Sequence, residues 1–319
     1  MRIVFFGTPQ FAVPTLERLL ASRHTVCGVV TQPDRPRGRG QRVAESPVKT
    51  LAAAHGCPVL QPDRLREPGV AEALGAWRPD IGVVAAYGKL IPEALLALPP
   101  HGMINVHASL LPKYRGAAPV QRAIIDGETQ TGVTIMRMEK MLDAGPMLAK
   151  ATRAIGPDET ADLVERDLAG LGAGLLLDVL DRLEAGDLQQ ELQDFMVCSY
   201  APKVTRDEGL IDWTLPASYV HNRVRGLYPW PHAYTYLDGV RLIVLKTHVE
   251  DRPADAPPGT VIEVTREAIH VATGHEGRLA LQQLQLEGGR PMPVRDFLAG
   301  HRVTPGMHFT GPPSPAPGP

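Results

Sequence analysis

The chain has 319 residues, 44% hydrophobic and 21% charged, with a formal net charge of −2. That length favours two domains over one, and the composition is that of a globular chain, not a disordered or fibrous one. No apolar run approaches the ~20 residues that span a bilayer. The near-neutral charge excludes nucleic-acid binding through overall basicity and leaves only a local patch for that purpose.

Residues 2–6 (RIVFF) form an apolar run ending at Gly7-Thr8-Pro9, a strand followed by a turn. This start is too short and too soon broken for a signal peptide, so the chain is expected to enter the fold directly. Cys27, Cys57 and Cys198 stand far apart, without metal spacing or a disulfide framework, and a reducing cytoplasm is the expected compartment. FAVPTLERLLAS places Leu16, Leu19 and Leu20 at helical spacing, and 24–31 (HTVCGVVT) reads as a second strand buried on both faces. After a charged Gly/Pro/Arg stretch at 32–43, Ser46-Pro47 opens a helix, with proline where its missing N–H costs little. Residues 58–60 are a short strand, 70–77 a helix, 80–87 a strong buried strand, 90–98 a short helix and 102–109 another strand.

Strand alternating with helix predicts an α/β fold built on an open, mostly parallel sheet covered on both faces. Ligands in such sheets sit beyond the carboxyl ends of the strands, and Tyr87, Asn105 and His107 fall at or near those ends. Residues 131–138 alternate like a more exposed strand, 146–155 are its neighbour, and a long helix at 160–186 closes the domain. From about 187 the texture turns polar and weakly periodic, as in a linker. Short β-type runs then follow, separated by Gly, Asp and Pro, as in a smaller β-barrel of OB-like type. The expected domains are 1–189, a linker at 190–206, a barrel at 207–308 and a disordered tail at 309–319.

The chemistry concentrates in 104–148. Asn105 and His107 lie two apart on a strand, so they share a face. Asp143 sits in a Leu-Asp-Ala-Gly loop. An amide, an imidazole and a carboxylate can run acyl transfer without a metal or a covalent intermediate. Asn105 donates an N–H to a developing oxyanion. Protonated His107 donates another and passes protons. The carboxylate orients the ring and helps take a proton from an attacking amine. Singly, each residue has a plainer reading: a satisfied histidine at a strand end, an Asn bonded to nearby backbone, and an Asp that forms a turn.

The pattern N-V-H-x-S-L-L-P-x-Y-R-G, followed by T-G-V-T-I and L-D-A-G, resembles the signature of the folate-dependent formyltransferases. That resemblance implies a Rossmann-like catalytic domain, Asn105, His107 and Asp143 as the catalytic trio, and Ser109, Leu110, Leu111 and Pro112 in contact with folate. Tyr87 is placed beside the same cleft. The co-substrate implied is 10-formyltetrahydrofolate, with no metal. The absence of G-x-G-x-x-G after the first strand argues against NAD or another dinucleotide.

Within that family, FFGTPQFA at the start, 31–49, and the region carrying WPHAY resemble the members that formylate methionyl initiator tRNA for translation initiation. The stretch 32–49 has a net charge of +3, and a Gly/Arg loop can follow a phosphate backbone. Arg35, Arg37, Arg39 and Arg42 are therefore expected to contact tRNA, Arg39 near the acceptor end. Beyond Lys203 the acidic and basic residues balance, and any basic stripe would use Lys203, Arg206, Arg223 and Arg225, with Lys246 less clearly placed. A monomer without membrane contact is expected. Rival readings are an amino-sugar-nucleotide formyltransferase, disfavoured by the basic insertion, a purine-pathway formyltransferase, which needs nothing beyond about residue 200, a formate-releasing hydrolase, and a binding module without catalysis.

Overall fold

The computed structural model describes residues 1–37 and 42–312, and the chain divides into two compact units interleaved along the sequence. One comprises Met1–Pro119, Gln130–Ala154 and Glu165–Pro202, the other Val120–Thr129, Ile155–Val164 and Lys203–Pro319.

In the first unit seven strands form one sheet. Their spatial order is Met147–Ala154, Gln130–Arg137, Met103–His107, Ile81–Ala85, Arg2–Gly7, Thr25–Val30 and Val59–Leu60. The last five pair in parallel, while Gln130–Arg137 runs antiparallel to both neighbours. The chain starts in the middle of the sheet, works outward to Val59–Leu60, then returns to the other side of its first strand with Ile81–Ala85. That reversal makes the crevice at the carboxyl ends the place for a ligand. Continuous apolar runs explain the parallel strands: all of Ile81–Ala85 and most of Arg2–Gly7 are buried, as sheets covered on both faces require.

Gln130–Arg137 corrects an expectation. Thr131 to Met136 are all buried, because the alternation marks two different packed surroundings with no water on either side. Val133 lies 3.1 Å from where a Cβ on Gly172 would stand, so it faces the long helix Ala161–Ala185. Thr134 points the other way and bonds the Ser109–Leu111 backbone.

Residues 190–206, the expected linker, are mostly exposed but tied to the first unit at several points. Gln193 is buried, Glu191 bridges Met147, and Tyr200–Ala201 pairs in parallel with Arg115–Gly116. Unpaired loop backbone finds partners there, which a purely polar linker would leave to water.

In the second unit an antiparallel sheet runs Val261–Val264, Ile269–Ala272, Arg278–Leu286, Val240–Glu250, Ala233–Leu237 and Phe309–Thr310, with Met292–Pro293 beside Arg278–Leu286. Register shifts between Val244 and Thr247 are the irregularities that let a long strand curl. The two ends of the curled sheet meet: Val261 donates to the Met307 carbonyl and Phe309 to that of Gly259, both at 2.8 Å. Its core includes Trp213, Val244, Val271, Leu281, Phe297 and Phe309. The Trp213 ring stacks on Phe309 at 5.4 Å, and its indole N–H donates to Thr235 Oγ1 at 3.0 Å. The expected disordered tail therefore starts too early at 309, since Phe309 is 1% exposed. Residues 313–319 lie outside the described residues.

Candidate active site

The strand Met103–His107 alternates between two tasks. Val106 faces the helix Ala161–Ala185, where any Cβ on Gly172 would come within 2.7 Å of it. Asn105 and His107 consequently point to the other face. Asn105 is half-buried and makes no side-chain hydrogen bond among the described residues, so its amide is available to a ligand. His107 is 5% exposed. Its Nε2 is 2.9 Å from the Tyr114 carbonyl, which can only accept, so Nε2 carries a hydrogen and donates. The nitrogen left toward the reacting groups is Nδ1.

Asp143 stands on that side, with Oδ2 3.7 Å from His107 Nδ1. This is too long for a hydrogen bond, and it leaves the carboxylate and the ring facing each other. The same oxygen accepts the Gly116 N–H at 2.8 Å. Asp143 has φ 45°, a left-handed conformation that Asp tolerates better than most residues. Gly116, at φ 121°, leaves room for Ala201: a Cβ there would stand 2.8 Å from its carbonyl oxygen. Glycine is thus required where the donor to the carboxylate approaches a second backbone.

In the loop Ser109–Pro112, two of the four side chains that the resemblance places against folate are turned inward. Ser109 is fully buried and donates to the Lys113 carbonyl at 2.6 Å. Leu111 is buried against Met136 and Met147. Leu110 and Pro112 are half-buried. The carbonyls of Ser109, Leu110 and Pro112 and the Leu111 N–H are bonded within the protein, so what the loop offers a flat heterocycle is chiefly the side chains of Leu110 and Pro112. Tyr87 departs further from expectation. Its ring is 2% exposed in an apolar cluster, edge-on to Phe6 at 5.5 Å. Burial pushes its hydroxyl up to about 12. Only its carbonyl faces polar groups, accepting from Thr8 Oγ1 and Gln32 Nε2. Positive-φ residues on either side, Ala86 and Gly88, reverse the chain around Tyr87.

The basic residues divide. Arg35–Arg37 and Arg42–Ala44 pair as an antiparallel hairpin, and Arg35 is exposed. Arg39 lies outside the described residues, and for Arg37 and Arg42 only the backbone is described. Both carboxylates of the stretch, Asp34 and Glu45, pair with Lys49, so its excess charge rests on the four arginines. Lys203, Arg206 and Lys246 are exposed. Arg223 donates to the Glu208 carbonyl. Arg225 is 7% exposed and bonds Asn222 and the carbonyls of Gly156 and Glu159, which removes it from any basic stripe.

A strand-borne amide and imidazole with a carboxylate facing the ring, at the crevice of an open α/β sheet, is an arrangement whose chemistry suits acyl transfer. The sequence profile described as "Formyl transferase" matches residues 1–180, and that described as "Formyl transferase, C-terminal domain" matches residues 203–302. The chain belongs to the formyl transferase family. Relatives that match it almost end to end carry the name methionyl-tRNA formyltransferase. One from Geotalea daltonii is 48% identical over 96% of this chain and 97% of its own. One from Methylococcus capsulatus is 49% identical over 95% and 98%. Among solved structures, an N-formyltransferase from Helicobacter canadensis in complex with folinic acid and dTDP-3-aminofucose aligns with TM-score 0.68 at 16% identity, covering 88% of this chain and 98% of that one. HypX from Aquifex aeolicus in complex with tetrahydrofolic acid aligns with TM-score 0.61 at 18% identity, over 96% of this chain and 50% of that one. At such identities the two structures establish the shared fold alone.

Proposed function

We propose that the chain transfers the formyl group of 10-formyltetrahydrofolate to the amino group of methionine carried by initiator tRNA, the reaction named by its near full-length relatives. The first unit would carry the chemistry. The second unit, with Lys203 and Arg206, would meet tRNA, as would Arg35, Arg37, Arg39 and Arg42.

The observation that carries the reading is the convergence of His107 Nδ1 and Asp143 Oδ2 on the face that Asn105 also points to. The folate supplies an activated formyl carbon. Asn105 donates an N–H to the carbonyl oxygen as charge develops on it, where a preorganised donor is most effective. His107 Nδ1 accepts a proton from the attacking amine, and the negative charge of Asp143 beside it supports the imidazolium so formed. His107 Nδ1–H returns that proton toward the departing nitrogen, so the proton lost by the amine balances the one gained by the leaving group. Tyr114 holds the ring through its carbonyl during this exchange.

The resident groups suit the co-substrate in one respect: the Asn105 amide, half-buried and without a side-chain hydrogen bond among the described residues, is left for a ligand oxygen. The test is formylation of methionyl-tRNA with 10-formyltetrahydrofolate by Asn105→Ala, His107→Ala and Asp143→Asn, with an amino-sugar nucleotide and water as alternative acceptors. Each variant is expected to lose about 10²–10³ in kcat. Near-normal turnover by all three, or formyl transfer to the sugar nucleotide in preference to tRNA, refutes the reading.

A further inference from the structure

One buried charge has no part in the chemistry so far. Arg115 is fully buried, yet it pairs with no carboxylate among the described residues. Its Nε and Nη2 both donate to Oε1 of Gln193, at 3.0 and 2.8 Å. The guanidinium lies 4.5 Å from the Phe195 ring centroid, and Nη1 has no hydrogen-bond partner. A cation stripped of water ordinarily sits against an acid. Here it sits against a neutral amide, itself 5% exposed. The other end of that amide is also fully used: Nε2 donates to the carbonyls of Asp143 and Gly145, both at 2.8 Å.

The surrounding segment binds in the same direction. Glu191 and Met147 exchange both backbone bonds, at 2.8 and 2.9 Å. Ser199 takes the Tyr114 N–H on its hydroxyl at 3.0 Å and the Arg115 N–H on its carbonyl at 2.9 Å. Ala201 takes the Ala117 N–H at 2.9 Å. Residues 191–201 thus strap together the loop that holds His107 and the turn that carries Asp143. They fall between the stretches matched by the two family profiles, 1–180 and 203–302.

We propose that Arg115 and Gln193 are positioning residues for the Asp143 carboxylate, a role that rests on the reading of Asp143 as catalytic. The cation fixes which end of the amide faces it, so the two amide hydrogens must face the Asp143 and Gly145 carbonyls. Donation into Oε1 also polarises the amide and strengthens Nε2 as a donor. Those two bonds fix the carbonyls of Asp143 and Gly145, on either side of Ala144, and so hold Asp143 in its left-handed backbone conformation, which in turn sets the carboxylate opposite His107 Nδ1.

Gln193→Glu separates this role from a packing role. A glutamate keeps the shape and gives Arg115 an acidic partner, so the fold is retained. It cannot donate to the two carbonyls, and the Asp143 turn is released. In the full-length protein the variant is expected to stay folded at the assay temperature and to keep its KM for folate and methionyl-tRNA within about twofold, while kcat falls about 10–100-fold, the scale of a misplacement near 1 Å. Its pH–rate profile should shift on the limb that Asp143→Asn abolishes. A kcat within threefold of wild type overturns the proposal, as does a loss that tracks the unfolded fraction. Asp143→Asn is measured alongside. If it too is fully active, the catalytic assignment has failed. If it is inactive while Gln193→Glu is not, only the positioning role has failed.

Discussion

Thr134→Val isolates the hydroxyl that anchors the loop beside the candidate site. Thr134 is fully buried, and its Oγ1 donates to the Ser109 carbonyl at 2.7 Å and accepts the Leu111 N–H at 3.1 Å. It also stands directly across from His107 in the antiparallel pair. Valine has nearly the same shape, so little packing is lost. The substitution leaves one carbonyl and one N–H buried without their partner. Each such group costs about 1–3 kcal/mol, so a destabilisation of about 2–4 kcal/mol is expected after some relaxation. Thr134→Ser keeps the hydroxyl and loses one methyl, worth about 1 kcal/mol. Guanidinium unfolding at constant slope measures both. Calorimetric binding of a formyltetrahydrofolate should weaken about tenfold for the valine variant, a loss of about 1.4 kcal/mol, and scarcely at all for the serine variant. If the serine variant loses as much stability as the valine variant, or the valine variant loses under about 1 kcal/mol, the hydroxyl is not the anchor argued here.

Three further outcomes are expected. Ending the chain after Pro312 leaves the second unit's unfolding unchanged, whereas ending it after His308 removes the Phe309 ring from the Trp213 stack and costs about 3–5 kcal/mol by denaturant titration. Gly116→Ala places a Cβ against the Ala201 carbonyl at a positive φ, so kcat should fall at least about tenfold through displacement of the N–H that bonds Asp143, measured against an unchanged KM for folate. Burial, its largest cause, pushes the His221 ring below its ordinary range, and its nitrogens lie against Thr247 Oγ1 and the Pro157 carbonyl. A base held neutral in the fold contributes its stability in full above about pH 6.5 and loses it as pH falls through the lower folded value. Thermal midpoints should therefore drop between pH 7 and 5, and His221→Gln should flatten that drop.

Legibility from sequence followed periodicity. Asn105 and His107 could be put on one face because a strand alternates strictly, and the apolar runs announced the parallel strands without ambiguity. Asp143 was visible only as part of the motif, since an aspartate before a glycine also makes an ordinary turn. The barrel strands were readable from their spacing, but Phe309 was not: a two-residue strand after a Gly-Met-His turn has no pattern of its own. Tyr87 misled because position at a strand end says nothing about the direction a ring takes after a left-handed residue. Arg225 misled for a related reason, as a helix-borne arginine usually reaches water. Arg115 and Gln193 were the least legible. A charged residue in a turn and a glutamine in a polar segment both suggest solvent, and only their pairing over 78 residues explains their burial.

The strap at 191–201 also has a temporal meaning. On a ribosome, every strand of the parallel sheet leaves the exit tunnel well before Gln193 does. A nascent chain can therefore adopt the α/β architecture while its carboxylate turn is still unlatched, and competence arrives as a late, separate event. A fragment stopped near residue 189 would present the three polar groups in order along the chain and still lack the clasp that aims one of them.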